Sequence, residues 1–477
     1  MLLSELMKRV TDVPKEKDVQ ISFVTDRIDS VKTGCAFVCI EGKKNDGNSY
    51  ACHAIEKGAA CVISEKDTGV KEQIIVENSR RAYTLMCSAF YGDPAGKLKM
   101  IGITGTNGKT STAFLLRELL ESSGRKTGLI GTVSTIAGER EYSPEMTTPE
   151  PPELFRLFKE MTDGGCEYCV MEASSQGLDQ QRLAGITFDI AIFTNLTEDH
   201  LDYHSTMDSY KQAKKILFEN AKTAVVNIDD ENGLSMTEGL PVKTVTYSMK
   251  NDLADYTAKN VELFENSVKY EFVGKGVIGR VKLGIPGRFT VYNSMAAAAA
   301  ALELGVDMNT VMDAFAKSHG VKGRMETLDT GRDFTVIIDY AHTPDGLENL
   351  LSSVRDVYKG RIITVFGCGG DRDKTKRPIM GETVGRLSDI AVVTSDNPRS
   401  EDPDEIIGDI LPGLKISKSK LYTISDRTQA IRKALSLAKE GDVVVLAGKG
   451  HEDYQVIGSG KIPYDEREIV KEILENK

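Results

Sequence analysis

"KMIGITGTNGKTSTAFLL", residues 99–116, passes from an apolar strand through a glycine-rich turn into an amphipathic helix. In that setting backbone N–H groups and a helix N-terminus hold phosphate, while Lys109 reaches the outer oxygens and the Thr110 hydroxyl serves Mg²⁺. The generic phosphate-loop pattern has a glycine five residues before the Gly-Lys pair, and this chain has Ile103 there. The stretch reads as a phosphate loop of a particular variety. The alternative is a plain tight turn between strand and helix.

Working outward, "CEYCVMEAS", "DIAIFTN" and "TAVVNID" are short, nearly continuous apolar runs, as strands buried on both faces should be. Between them "TAFLLRELLESSG" sets Phe114, Leu115, Leu119 and Leu120 on one helical stripe ending at Gly124. Alternation of this kind predicts an α/β protein with a mostly parallel sheet covered on both sides. At 477 residues the chain is too long for one core. Three domains are expected: a small α/β unit over 1–98, with strands near "CAFVCI" and "AACVIS"; a central one over 99–328; and a third over 329–477. The third carries strands "FTVIIDY", "RIITVFG", "IAVVTS" and "DVVVLAG". Loops after such strands gather along the carboxyl edge, where ligands bind.

Composition narrows the partners. A net charge of -11 lacks the positive field that nucleic-acid binding uses, so none is expected. The N-terminus interrupts its apolar residues with Glu5, Lys8 and Arg9, and nowhere do 18 apolar residues run together. A cytoplasmic, monomeric protein that does not insert into membranes is expected. Cys166 and Cys169 form a CxxC without a second pair, which favours structural thiols over a zinc site.

"FTNLTEDHLDYH" places Asp199, His200, Asp202 and His204 just past a strand, where oxygen and imidazole donors could position a divalent ion. Glu172, in "VMEASSQG", stands at another strand end and is a third metal-side group. A solvated loop is the plain alternative for the first cluster. In the last block Arg372, the segment Asp396–Arg399 and the segment Gly448–Glu452 form charged loops suited to a zwitterionic small molecule. "GCGGDR" misses the dinucleotide pattern because Arg372 replaces its last glycine.

Taken in order, "GTNGKT", "MTTPE", "MEASSQGLDQQR", "NLTEDHLDYH", "QAKKILF", "GRFTVYN", "GRME", "YAHTPD", "GGDRDKTKRP", "DNPR" and "GKGHEDYQ" resemble the Mur ligases of bacterial cell-wall synthesis over essentially the whole chain. That family's loop is GTxGKT, so Ile103 is normal for it. The resemblance implies a uridine-nucleotide domain, a central P-loop ATPase and a C-terminal Rossmann-like domain for the incoming amino acid. It implies transfer of the ATP γ-phosphoryl group to the D-glutamate γ-carboxylate of a UDP-N-acetylmuramoyl dipeptide. The amino group of meso-2,6-diaminopimelate then attacks and phosphate leaves.

By that resemblance Gly105, Thr106, Asn107, Gly108, Lys109, Thr110 and Ser111 hold ATP, with Asn293, Arg324 and Asp339 near the nucleotide. Thr110, Glu172 and His200 serve Mg²⁺, and Lys214 falls on the family's carbamylated lysine, formed with CO₂ and able to reach a metal. Thr147, Thr148, Ser174, Gln180 and Arg182 fall on positions gripping the muramoyl dipeptide. Arg372, Asp396, Asn397, Pro398, Arg399, Gly448 and Glu452 fall on the amino-acid site. Lysine lacks the far carboxylate of diaminopimelate and would leave a buried Arg399 unpaired; sites built on such a contact reject the analogue by roughly 10⁴ to 10⁵. Diaminopimelate is therefore expected over L-lysine.

Two positions depart from the family. "DRIDSVKTG" puts Ile28 where a Ser is usual, leaving Ser30 or Asp26 to grip the uridine nucleotide, with Lys43, Lys44 and Asn45 as the other half of that site. Gln176 replaces a frequent His and can hydrogen-bond but not take a proton in its place. A folylpolyglutamate synthetase is the nearest rival, and its usual lack of the first domain argues against it. From another class, a P-loop ATPase with a regulatory amino-acid module is the alternative.

Overall fold

The computed structural model describes residues 1–42, 45–415 and 417–475. Lys43 and Lys44 lie outside them. Three sheets of side-chain-alternating strands divide the chain. The first is four-stranded and parallel, in the order Val24–Thr25, Ala36–Val38, Cys61–Ser64, Gln73–Ile75. The helix Ser79–Phe90 follows, its first turn closed by Asn78, whose side chain accepts from Arg81 N.

The central sheet has eleven strands. Lys99–Thr104 lies between Tyr168–Glu172 and Phe188–Phe193, parallel to both, with four more parallel strands outside them. Burial on both faces explains why Lys99–Thr104, Tyr168–Glu172 and Phe188–Phe193 read as nearly unbroken apolar runs. Antiparallel strands extend it at either edge, Thr135–Ala137 with Arg140–Tyr142 and Ser267–Gly274 with Val277–Leu283. The second hairpin alternates buried and exposed residues, as a strand pair with one wet face should.

Helix Lys109–Ser122 buries Leu115, Leu116, Leu119 and Leu120 completely, or nearly so, under this sheet. Helix Arg288–Glu303 packs beside it. Its run Ala296–Ala301 is wholly buried because side chains of one methyl let helix and sheet approach closely. Among the described residues no helix is long and apolar enough to cross a membrane. All eight cysteines are free thiols, and Cys166 and Cys169 are both buried.

The third sheet has six strands, with Thr335–Asp339, Val443–Ala447, Ile362–Phe366, Ile390–Val393 and Lys420–Thr423 parallel and neighbouring in that order. Glu326–Leu328 pairs antiparallel with Thr335–Asp339, so this strand, just ahead of the 328/329 boundary read from sequence, is hydrogen-bonded to the third sheet and not the second. A hairpin, Tyr454–Ile457 with Gly460–Pro463, docks on the loop after Ile390–Val393 through an Arg399–Ile457 bridge.

Candidate active site

The phosphate-type loop leaves the Lys99–Thr104 strand and enters the helix at Lys109. Gly108 takes φ 86°, and a Cβ there would stand 2.4 Å from Asn293 Oδ1, so backbone and Asn293 meet only because the residue is glycine. The loop is stapled to the neighbouring strand end: Thr194 Oγ1 and Asn195 Nδ2 donate to Asn107 O at 2.6 and 3.1 Å, and Asn107 N donates to Asn195 Oδ1 at 2.9 Å. Lys109 Nζ donates to Gly105 O and Thr106 O at 2.9 and 2.8 Å. Burial lowers its pKa, against the pull of Glu172 and Asp199.

Lys214, 1% exposed, donates to the same Gly105 O at 2.8 Å, with its ammonium 4.2 Å from the Tyr210 ring centre. Burial, then the nearby Lys109 ammonium, push its pKa well below that of a free lysine.

Glu172 anchors the opposite wall. Its Oε2 accepts from Thr110 Oγ1 and Thr132 Oγ1, both at 3.0 Å, and its Oε1 from Thr132 N at 2.8 Å. Since the Thr132 proton goes to Glu172, Thr147 Oγ1 is the donor in the 2.9 Å contact with Thr132 Oγ1. Arg324 Nη2 donates to Thr110 Oγ1 at 3.2 Å, and its guanidinium lies 4.7 Å from the Tyr340 ring. Asp339 accepts from Met325 N and Ala341 N at 2.7 and 2.8 Å; burial raises its pKa, partly countered by Arg324.

His200 sits in a left-handed turn at φ 54°, its Nε2 3.4 Å from Asp199 Oδ2. Burial lowers the His200 pKa; burial pushes Asp199 up, but His200, His342 and Lys376 together hold it below the usual value. Asp202 and His204 do not join them. Asp202 is exposed, and His204 is buried, 2.9 Å from Ser175 Oγ and packed between Tyr203 and Tyr210. Helical geometry separates these neighbours in sequence, so the four do not gather at one point. Among the described residues no three His, Cys, Asp or Glu side chains are set to hold a metal on their own.

A cavity of about 610 Å³ collects Thr106 to Ser111, Thr147, Glu172, Ser174, Asp199, His200, Lys214, Asn293, Arg324 and Asp339. Its far wall is Tyr340–Gly346, from the third-sheet domain. There Asp345 Oδ2 accepts from Asn107 Nδ2, Thr197 Oγ1 and Asn349 Nδ2 at 2.6, 2.9 and 3.0 Å, tying the glycine loop across the domain boundary.

Of the residues expected at the dipeptide, Thr147 and Ser174 line this cavity, and Thr148, Gln180 and Arg182 do not. Thr148 is buried and bonded to the backbone, donating to Glu172 O and accepting from Ser174 N. Ser174 caps the helix Ser175–Asp179. Arg182 donates to Thr148 O and Gln180 Oε1, both at 2.7 Å, and pairs with Glu150 at 2.5 Å. Ser30 ends a short turn, Asn45 is exposed, and Asp26 accepts from Tyr83 OH at 3.0 Å. The structure brings none of these three to the cavity.

In the third domain Asn397 and Glu452 are joined at 2.9 Å, and Gly448 comes so close to Asp396 that a Cβ would stand 2.5 Å from its Oδ2. Asp396 Oδ2 is buried without a hydrogen bond among the described residues. Pro398 is buried between these residues, while Arg372 is exposed. Arg399, expected to be buried, is partly exposed; its φ of 53° turns the guanidinium onto Gly370 O at 2.8 Å. This group joins the cavity wall through Gly448 N, which donates to Asp339 O at 3.0 Å, and through His451, 4.8 Å from the Tyr340 ring.

Sequence reading passed over Thr132, Asp345, Lys449 and the wholly buried Arg427. Asp345 and Lys449 lie inside quoted motifs; Thr132 sits in "GTVSTI", where nothing in the sequence marks it.

A phosphate loop whose lysine meets a second, buried lysine, in a cavity shared with a carboxylate and closed by a segment of a separate domain, fits an ATP-dependent ligase. The model of the Mur ligase middle domain matches residues 103–301 and that of the Mur ligase, glutamate ligase domain matches 323–450. The chain belongs to the Mur ligase family of ATP-dependent, ADP-forming ligases. It is 47% identical to UDP-N-acetylmuramoyl-L-alanyl-D-glutamate--2,6-diaminopimelate ligase 1 of Clostridium acetobutylicum, covering 92% of this chain and 91% of that one. The enzyme of the same name, without the numeral, from Caldanaerobacter subterraneus is 46% identical, with 99% of each covered. A solved structure of such a ligase superposes with TM-score 0.72 at 32% identity, covering 100% of this chain and 99% of that one. A folylpolyglutamate synthase from Mycobacterium tuberculosis reaches TM-score 0.63 at 20% identity over 76% of this chain and 91% of its own, a likeness of fold alone.

Proposed function

We propose that this chain adds meso-2,6-diaminopimelate to the D-glutamate γ-carboxylate of UDP-N-acetylmuramoyl-L-alanyl-D-glutamate, driven by ATP, in the cytoplasmic synthesis of peptidoglycan precursors, as a monomer. The observation that carries this reading is the convergence of Lys109 and Lys214 on Gly105 O in a cavity that Glu172 also lines and that the third domain closes with Tyr340–Thr343 and Asp345. The names of relatives at 46–47% identity support the choice of substrates.

A carboxylate is a poor electrophile at neutral pH, so its oxygen must first accept the γ-phosphoryl group, giving an acyl phosphate and ADP. The amine then attacks the acyl carbon, phosphate leaves and the amine loses its proton. Lys109 and the loop N–H groups from Gly105 to Ser111 hold the phosphates and offset charge as it moves. Asn293, Arg324 and Asp339 line the nucleotide side. The hard oxygens of Thr110 and Glu172, 3.0 Å apart, fit Mg²⁺, which is commonly bound by one or two carboxylates plus substrate phosphates. His200 lines the same cavity, and Mg²⁺ there would neutralise phosphate charge. Lys214, with its pKa driven down, has the free amine that CO₂ captures as a carbamate, exchanging a buried cation for an anion able to reach a metal.

Thr147, Thr148, Ser174, Gln180 and Arg182 serve the muramoyl dipeptide, and Ser30 and Asn45 its nucleotide. Asp396, Asn397, Arg399, Gly448 and Glu452, with Arg372, take the amino acid, whose far carboxylate suits Arg399 and whose far ammonium suits Glu452.

The test is ADP release from the purified protein. Release is expected only with both the UDP-muramoyl dipeptide and diaminopimelate. Release with folate substrates, or release indifferent to either acceptor, overturns the proposal in favour of a folylpolyglutamate synthetase or a regulated ATPase.

A further inference from the structure

Lys449 has no exposed surface. Its ammonium donates to Asn397 Oδ1 and to Glu452 Oε2, both at 3.0 Å. Asn397 closes the triangle by donating Nδ2 to the same Glu452 Oε2 at 2.9 Å, while its Oδ1 also accepts from Val456 N at 2.9 Å. Three segments are thus pinned at one buried point: the loop after Ile390–Val393, the loop after Val443–Ala447, and the hairpin that begins at Tyr454.

Lys449 and Asn397 both occupy Oε2 of Glu452. The other oxygen, Oε1, accepts nothing among the described residues, and the side chain keeps 12% exposure. A carboxylate gripped by one oxygen has little rotational freedom left, so its second oxygen is presented in a fixed place. Lys449 itself is shut off from any ligand by its zero exposure, and its strong charge partner is Glu452. A buried Lys–Glu pair adds little net stability over an apolar side chain of similar volume, so stability alone is a weak reason for an ammonium here.

We propose that Lys449 is a positioning residue of the amino-acid site: it fixes Glu452 so that Oε1 receives the ammonium of the incoming amino acid, and fixes Asn397 so that the Asp396–Arg399 loop stays in register with the hairpin. This rests on the reading of these loops as the amino-acid site. It predicts that Lys449 acts on amino-acid affinity through Glu452, without acting on the phosphoryl-transfer half of the reaction.

The experiment is a double-mutant cycle on steady-state kinetics of the full chain with Lys449→Met, Glu452→Gln and the pair. Lys449→Met, which keeps the apolar stem, is expected to raise KM for meso-diaminopimelate by about tenfold or more. The KM values for ATP and UDP-dipeptide, and kcat at saturating diaminopimelate, should hold within about threefold. In the Glu452→Gln background the same substitution should add little, because coupled residues do not act additively. Lys449→Arg, which keeps a cationic donor, should restore part of the loss. An unchanged KM in Lys449→Met, effects that multiply independently, or a parallel fall of every constant with loss of folded protein would each overturn the proposal. A parent enzyme that releases no ADP with diaminopimelate and UDP-dipeptide would instead overturn the functional reading, before any variant is compared.

Discussion

Lys214 and Lys109 meet at one atom: both ammonium groups donate to the carbonyl oxygen of Gly105, at 2.8 and 2.9 Å. Two like charges at one acceptor weaken each other, and burial takes the larger part in lowering both pKa values. The arrangement makes Lys214 the more readily neutral of the two.

Lys214→Ala is expected to lower kcat by about 10²-fold or more, and short-chain carboxylates such as acetate should restore part of it by supplying the missing anion. The intact mass in bicarbonate buffer should show the added CO₂. A fully active enzyme with unmodified Lys214 would rule the carbamate out.

Thr132 holds both oxygens of Glu172. Thr132→Val keeps the backbone donor and removes the hydroxyl, so stability should fall by only about 1 kcal/mol. Turnover should fall about tenfold or more, since Glu172 loses one of its orienting bonds. Thermal unfolding and ADP release on the same preparation check this; equal turnover would show that Thr110 and the backbone N–H of residue 132 orient the carboxylate without the hydroxyl.

Asp345 carries the contact between Asn107 and the third domain. Asp345→Ala should lower kcat/KM for ATP by about tenfold, while Asp345→Asn, which keeps an acceptor oxygen, should lose less. Similar losses in both variants would mean that charge, and not acceptance, matters at this joint.

His451 is half-buried, its buried Nδ1 has no hydrogen-bond partner among the described residues, and burial with Arg324, Arg467 and Lys322 around it lowers its pKa from 6.5 to about 3. Between those values the unfolded chain binds a proton that the folded one refuses. Its contribution to stability is therefore complete above pH 6.5 and is lost as pH falls toward 3. His451→Phe keeps a ring against Tyr340 and should flatten the fall of Tm over that window. An unchanged slope would assign acid sensitivity to other groups.

Arg399→Ala should lower kcat/KM for meso-diaminopimelate by about 10²-fold and leave the already poor use of L-lysine nearly unchanged. Because Arg399 is partly exposed and already bonded to Gly370 O, the discrimination it gives should fall short of the 10⁴ to 10⁵ expected of a fully buried contact. Equal turnover of both amino acids by the parent enzyme would sink the choice of diaminopimelate.

The local pattern of residues determined much of this. Strand-length apolar runs bounded by glycine and charge mark the strands Lys99–Thr104, Phe188–Phe193, Thr335–Asp339 and Val443–Ala447, because a strand buried on both faces admits little else. Ile103 before the loop, with the ordered motifs after it, was enough for the family. Long-range contact was not encoded in any local signal. His204 lies two residues from Asp202 yet turns inward onto Ser175, and Thr132 reaches Glu172 across 40 residues of chain. Lys449 reads as one cation in a glycine turn until the fold brings Asn397, 52 residues away, to within 3.0 Å of it. Sequence by itself determined which chemistry the chain carries; only the tertiary structure decided which of those side chains face a common space, because that depends on strand order and helix rotation, not on spacing.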